Sequence, residues 1–352
     1  MKKPVGFLVG LNLMPTGFIT HPIYLSHETG HGHPETPKRL LAIHDYIDKT
    51  GIASFLKFVT PIHHPEIGNW ITKIHHTAYY QSLHQKIPKH GLVYLDPDTP
   101  LSPLSVQSAE MAVSGVLTAI DEVMAGRLQN AFCAIRPPGH HAEQNRAMGF
   151  CLFNNVAIGA RYLQEKYKLA RIFIIDWDVH HGNGTQHSFY ADPTVFYFST
   201  HQYPFYPGTG SVNERGVDDG EGFTVNCPLN AGAGDSELLS RFNKELSNAV
   251  AKFKPDFILI SAGFDAHRDD PLANLQVTDE GFSEMTVIVK GLAETYCGGR
   301  IISCLEGGYD VSALAGHGVL AGHGALAGHG VLAGHGALAR SVGKHVTVLA
   351  GV

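Results

Sequence analysis

The chain has 352 residues, 44% of them hydrophobic, with a formal net charge of −6. That length can bury one large α/β core or two domains, and the acidic balance gives no electrostatic capture of nucleic acid or of a membrane surface. No apolar run reaches membrane-spanning length, and the five scattered cysteines lack CxxC spacing, which argues for a reducing, cytoplasmic setting and against a cysteine-based zinc site.

Val5–Leu13 reads as a first strand rather than a leader, because its apolar run is short and broken by Gly10 and Asn12. His21 to Pro37 is Gly-, Pro- and His-rich and predicts a loop, followed by a helix with Leu40, Leu41, His44 and Ile47 on one side, stopped at Gly51. Trp70, Ile71 and Ile74 predict a short helix, and His75-His76 beside it reads as packing or capping. Leu95–Pro100 is turn-like with two exposed carboxylates. A long helix carries Ala109, Ala112, Val113, Val116, Leu117 and Ile120.

Ala131–Ile135 predicts a strand ending in Arg136-Pro-Pro-Gly-His-His141, where two prolines and a glycine fix the position of the His pair. Gly149-Phe-Cys-Leu-Phe-Asn-Asn155 opens a helix to about Tyr167. Next comes the strand-and-turn Arg171-Ile-Phe-Ile-Ile-Asp-Trp-Asp-Val-His-His-Gly-Asn-Gly184. Strand alternation would put Asp176, Asp178 and His180 on one face, where three buried polar groups suit a metal ion or, in the plainer reading, a hydrogen-bonded strand end. A helical Thr185–Tyr190 segment, a strand Val195–Ser199, and a Gly/Pro/aromatic loop from His201 to Gly222 follow. Ser236–Phe253 predicts a helix. Asp256–Ser261 predicts a strand continuing to Asp265, Phe282–Tyr296 a helix, and Arg300–Leu305 a strand leading to Tyr309.

Continuous apolar strands alternating with helices are the signature of α/β architecture: a single domain, residues 1–352, with a central mostly parallel sheet flanked by helices on both faces. In such sheets ligands bind outside the carboxyl ends of the strands. Four strands end in unusual groups: His140-His141, Asp176/Asp178/His180, Asp265 and Tyr309. Singly, a His pair packs, a Gly-Gly-Tyr turns and an Asp caps a helix. Their shared place at strand ends points to one site.

Leu314–Ala337 repeats Leu-Ala-Gly-His-Gly-(Val/Ala) four times. Removing it joins Val311–Ala313 to Leu338–Val342 as an amphipathic helix start, so the repeat reads as a tolerated insertion in the C-terminal helical region. Its histidines, six apart, fall on different helix faces and serve one ion poorly.

Asp178, His180 and Asp265 supply two carboxylates and an imidazole, a catalytic metal set with open positions. Zn²⁺ fits, and Fe²⁺ also would. His140 and His141 are both candidates for the proton-transferring base, Asp176 for orienting one of them, and Tyr309 for donating to a developing oxyanion. The sum is metal-assisted amide hydrolysis.

These segments carry a resemblance. With His33-Pro-Glu-Thr-Pro-Lys-Arg39, Tyr206-Pro-Gly-Thr-Gly210, Ser261-Ala-Gly-Phe-Asp-Ala-His267, Asp270-Pro-Leu272 and Leu305-Glu-Gly-Gly-Tyr309, the chain resembles the zinc-dependent histone deacetylases and acetylpolyamine amidohydrolases of the arginase–deacetylase fold. The resemblance implies Asp178, His180 and Asp265 as zinc ligands, His141 as general base and acid, and His140 as an electrostatic partner held by Asp176. It implies that Tyr309 polarises the scissile carbonyl, that Phe150 and Tyr206 wall a tunnel with the Gly149 carbonyl near the substrate amide, and that Asp98 holds substrate backbone at the rim. It also implies a structural K⁺ or Na⁺ near Asp176, Asp178, His180 and Ser199. Asn183 resembles the class II branch. Leu272 stands where a carboxylate gatekeeper accompanies polyamine substrates, which tilts the expected substrate toward acyl-lysine in proteins or peptides. The rivals are an acetylpolyamine or other small-molecule amidohydrolase, a dimanganese ureohydrolase and a silent acyl-lysine binding module. Self-association into a homo-oligomer stays open.

Overall fold

A computed structural model describes residues 14–312 and 335–352. The strand expected at Val5–Leu13 and all but the last three residues of the His-Gly repeat lie outside the described residues.

The strands are β1 (Thr16–Ile19), β2 (Leu56–Val59), β3 (Val93–Asp96), β4 (Thr99–Leu101), β5 (Asn130–Cys133), β6 (Ile172–Asp176), β7 (Val195–Gln202), β8 (Thr224–Leu229), β9 (Phe257–Ala262) and β10 (Ile301–Leu305). The α-helices are α1 (Lys38–Thr50), α2 (Ile67–Ile71), α3 (Thr77–Gln85), α4 (Ser105–Met124), α5 (Asn155–Tyr167), α6 (Asn183–Phe189), α7 (Asp235–Arg241), α8 (Ser247–Phe253), α9 (Asp279–Cys297) and α10 (Ala337–Ala350). Eight strands form one sheet in the order β2-β1-β5-β10-β9-β6-β7-β8, every neighbouring pair parallel. β3 and β4 form a separate antiparallel hairpin.

The expected α/β class holds, for the expected reason. β5, β6, β7, β9 and β10 are buried along their whole length, so apolar side chains on both strand faces leave water. Helices α4 and α5 pack together and against β5, β6, β9 and β10. Helices α1, α9 and α10 pack together, with α9 and α10 reaching β9 and β5. No helix among the described residues is long and apolar enough to cross a membrane.

Caps follow local chemistry. The Thr278 side chain accepts from Gly281 N at the start of α9, and Asn154 accepts from Ala157 N at the start of α5. α10 begins at Ala337, just after His335, whose Nε2 lies 2.9 Å from an Asp45 carboxylate oxygen of α1. The repeat's last histidine is thus docked on the fold.

Three sheet strands were not legible in advance: β1, β2 and β8. β1 holds Gly17, whose bare backbone admits the Leu128 side chain, and β8 contains Pro228, so both lack a continuous apolar run.

Candidate active site

The sheet order places the four unusual strand ends side by side. β5, β10, β9 and β6 are consecutive neighbours in the middle of the sheet, and their carboxyl ends lead to His140-His141, Tyr309, Asp265 and Asp178-His180.

One expectation needs correcting. Strand alternation does not bring Asp176, Asp178 and His180 onto a shared face, because β6 ends at Asp176. The backbone N–H of Asp178 donates to Asp176 Oδ1 (3.2 Å), and that of His180 to Asp178 Oδ1 (2.9 Å). These side-chain-to-backbone bonds bend the chain out of the strand. Asp176 consequently turns to a different set of partners: its Oδ2 meets His140 Nδ1 and the Tyr197 hydroxyl, each at 3.1 Å.

Asp178, His180 and Asp265 converge, with one ligating atom of each within 4.8 Å of the others. His180 Nδ1 lies 3.1 Å from Asp178 Oδ1 and 3.1 Å from Asp265 Oδ2. Backbone donors aim the carboxylates: Gly307 N to Asp178 Oδ2 (2.8 Å) and Val179 N to Asp265 Oδ1 (2.9 Å). A Cβ at Gly307 would collide with both carboxylates, so glycine is what allows their close approach here. Burial alone would lower the His180 pKa, yet hydrogen bonds and charge from Asp178 and Asp265 outweigh it and push it up to about 10. The two carboxylates therefore concentrate negative potential around the His180 ring. Two buried carboxylates and one imidazole fit Zn²⁺, and Fe²⁺ would also suit them.

The paired histidines are electrostatically split. Their rings lie 4.0 Å apart. Burial would lower His140, but the Asp176 and Asp178 carboxylates raise it to about 10. Burial lowers His141, and the neighbouring His140 and His180 push it further down, well below its ordinary value. Their neighbours push the two imidazoles in opposite directions, and the one pushed toward its neutral form, His141, is the one suited to accept a proton. His141 Nδ1 lies 2.8 Å from Asn183 Oδ1.

Tyr309 is buried beside Phe150, with ring centroids 5.8 Å apart, and its backbone N–H donates to Asp270 Oδ2 (2.7 Å). Burial raises its hydroxyl well above the ordinary range, so it remains a donor. The Tyr206 ring lies 5.2 Å from His141 and 6.0 Å from His180. A Cβ at Gly149 would strike the His141 ring. Phe150 adopts φ 68°, with its N–H donating to Thr99 Oγ1 of β4 (3.1 Å). Asp98 sits in the β3–β4 turn, half-buried rather than exposed, and its carbonyl oxygen lies 3.1 Å from His33 Nε2. Leu272 is half-buried, with its N–H on Asp270 Oδ1 (3.0 Å). Ser199 is buried beside Asp176 in the sheet register, 2.8 Å from His201 Nδ1. His75 packs as expected, bridging Glu143 O and Asn154 N, while His76 is exposed at the start of α3 and its side chain makes no capping bond.

Sequence reasoning gave no role to a buried charge network behind the site. Glu35 binds Arg39 (3.1 Å) and Arg136 (2.5 and 2.7 Å). Arg39 donates to the carbonyls of Glu306 and Gly308, and its guanidinium covers the Tyr309 ring at 4.9 Å. Glu306 accepts from Gly139 N (2.6 Å) and His140 N (3.2 Å), anchoring the His pair. The signal was present in His33–Arg39 and in the charge that follows the apolar β10. Phe205, stacked on His180 at 5.4 Å, also went unnoticed.

The model of the histone deacetylase domain matches residues 33–319 of this sequence. The chain belongs to the histone deacetylase family. Among similar proteins is a probable deacetylase of Archaeoglobus fulgidus, 40% identical over 298 residues, covering 85% of this chain and 82% of that protein. Histone deacetylase 10, chloroplastic, of Oryza sativa subsp. japonica is 38% identical over 297 residues, 80% of this chain and 67% of its own. The crystal structure of the HDA15 HD domain superposes with a TM-score of 0.83 at 32% identity, covering 96% of this chain and 90% of that one. This histone deacetylase-family hydrolase keeps its unusual side chains at the strand ends of a shared fold. A separate cavity of about 670 Å³ lies at the opposite end of the sheet, beside Arg171, Phe196 and Phe253, and contains none of them.

Proposed function

We propose that this chain is a Zn²⁺-dependent lysine deacetylase, removing acetyl or other acyl groups from the ε-amine of lysine in proteins or peptides. The observation that carries the reading is the convergence of Asp178, His180 and Asp265 within 4.8 Å, beside the buried His140–His141 pair, whose rings lie 4.0 Å apart, and the buried Tyr309.

Asp178, His180 and Asp265 would hold the ion, which when bound supplies Lewis-acid polarisation of the scissile carbonyl and acidifies a water. His141, neutral, takes the proton of the attacking water and returns it to the leaving amine, while His140, charged and held by Asp176, favours the negative charge that develops. The Tyr309 hydroxyl donates to the developing oxyanion. Phe150 and Tyr206 flank the methylene stem of the substrate, the Gly149 carbonyl accepts its amide N–H, and Asp98 at the rim accepts from its backbone. A structural K⁺ or Na⁺ near Asp176, Asp178, His180 and Ser199 completes the assignment.

Leu272 favours acyl-lysine over acetylpolyamine, because a half-buried leucine offers no charge to a second amine. Asp178→Ala and His141→Ala should each abolish hydrolysis of an acetyl-lysine peptide. Full activity in either variant refutes the mechanism, and preferential turnover of acetylputrescine moves the substrate to the small-molecule reading.

A further inference from the structure

The Asn183 side chain sits between two groups with opposite demands. Its Oδ1 lies 2.8 Å from His141 Nδ1. Its Nδ2 points at Glu143 Oε1 (2.5 Å), with the His141 carbonyl oxygen (3.4 Å) and Met148 Sδ (3.5 Å) on the same side. Glu143 is itself held by His187 Nδ1, at 2.8 and 3.0 Å from its two oxygens. Asn183 and His187 are four residues apart on α6, so they present adjacent side chains to the one carboxylate.

An amide side chain is a donor at one end and an acceptor at the other, and the two ends have nearly the same shape. What orients it is its partners. Burial alone would raise the Glu143 carboxyl, but hydrogen bonds from His187 and Asn183 outweigh it and hold it below the ordinary carboxylate range. An ionised carboxylate only accepts. It therefore demands the Asn183 NH₂ and turns the amide oxygen toward His141. That oxygen only accepts, so His141 must carry its proton on Nδ1. The lone pair is left on Nε2. With the amide reversed, Asn183 would donate to Nδ1 and the proton would move to Nε2, removing the base.

We infer that Glu143 is a positioning residue: through Asn183 it fixes the His141 tautomer that can accept a proton, with His187 securing the carboxylate. This rests on the reading of His141 as the base. The reaction needs no added group, because the effect is the placement of one proton on one ring.

The test is a cycle of variants on the zinc-loaded enzyme with an acetyl-lysine peptide. Glu143→Ala should lower kcat by roughly tenfold to a hundredfold with KM within about twofold, because tautomer and not substrate contact is lost. Asn183→Asp alone should also lose activity, since a second carboxylate then faces Glu143. In that background the sign reverses: Glu143→Gln/Asn183→Asp should regain at least about fivefold over Asn183→Asp, because the like-charge contact is gone. A merely structural Glu143 predicts the same loss in both backgrounds, and that result overturns the proposal. If Glu143→Ala fails to fold, the Glu143→Gln arm in the Asn183→Asp background still decides.

A second readout is independent of turnover. In ¹⁵N-histidine-labelled protein, the resonances missing from His141→Ala report this ring. They should show Nδ1–H in the wild type and loss of that preference in Glu143→Ala. An unchanged tautomer in Glu143→Ala overturns the proposal. Full activity in His141→Ala would instead sink the general-base reading while the spectrum still judged the role of Glu143.

Discussion

Replacing Glu35 with alanine should destabilise this protein more than any surface change, and the network around Glu35 sets the size of the effect. Glu35, Arg39 and Arg136 are all fully buried, and one carboxylate takes three hydrogen bonds from the two guanidiniums. Truncation loses side-chain packing worth ~1–2 kcal/mol. It also strips two buried cations of their anion, which costs more, about 3–5 kcal/mol. Glu35→Gln keeps the shape and an acceptor and should lose less. Urea unfolding of the three proteins measures the differences. The pH dependence is a further check. Burial would raise the Glu35 carboxyl, but Arg136 outweighs it and holds it at about 2 against an ordinary 4.5. A depressed carboxylate stabilises fully above its unfolded value and loses that contribution as pH falls from 4.5 toward 2. The gap between wild type and Glu35→Gln should shrink over that window. A Glu35→Ala protein within about 1 kcal/mol of wild type, or a gap that ignores pH, refutes the electrostatic account. Because Arg39 also holds the Gly308 carbonyl (2.6 Å), kcat should fall along with stability.

Three further predictions concern the site. Tyr309→Phe should lower kcat about a hundredfold with KM little changed, as expected for a lost oxyanion donor, and steady-state kinetics separates the two constants. His141 is pushed below its ordinary 6.5 by burial and by His140 beside it, so it stays neutral at lower pH, and the acid limb of kcat/KM should lie below 6.5. A limb above that value contradicts the assignment. Leu272→Glu should raise the preference for acetylputrescine over an acetyl-lysine peptide by roughly fivefold, the scale of a partly screened charge pair. An unchanged ratio would remove position 272 from substrate selection.

The parts of this fold that the sequence made legible share one physical cause. β5, β6, β9 and β10 are buried on both faces, so each is an apolar run ending abruptly in polar chemistry. Strands β1, β2 and β8, at the two sides of the sheet, have no such run, and they are placed by pairing with strands distant in sequence. Asp178, His180 and Asp265 were readable as a set, but the reason offered from strand alternation was not the operative one. Asp176 and Asp178 bend the chain through bonds to backbone N–H groups two residues on. Residues that act through a partner stayed hidden. Glu35, Glu306 and Glu143 look like ordinary charges until the fold places Arg136, His140 and Asn183 against them.

The most direct measurement is metal content and hydrolysis of an acetyl-lysine peptide on the same preparation. The expected result is one Zn²⁺ per chain, activity lost on chelation and restored by Zn²⁺, and neither metal nor activity in Asp178→Ala. A stoichiometry near two metals per chain, or hydrolysis that survives chelation or Asp178→Ala, would contradict it.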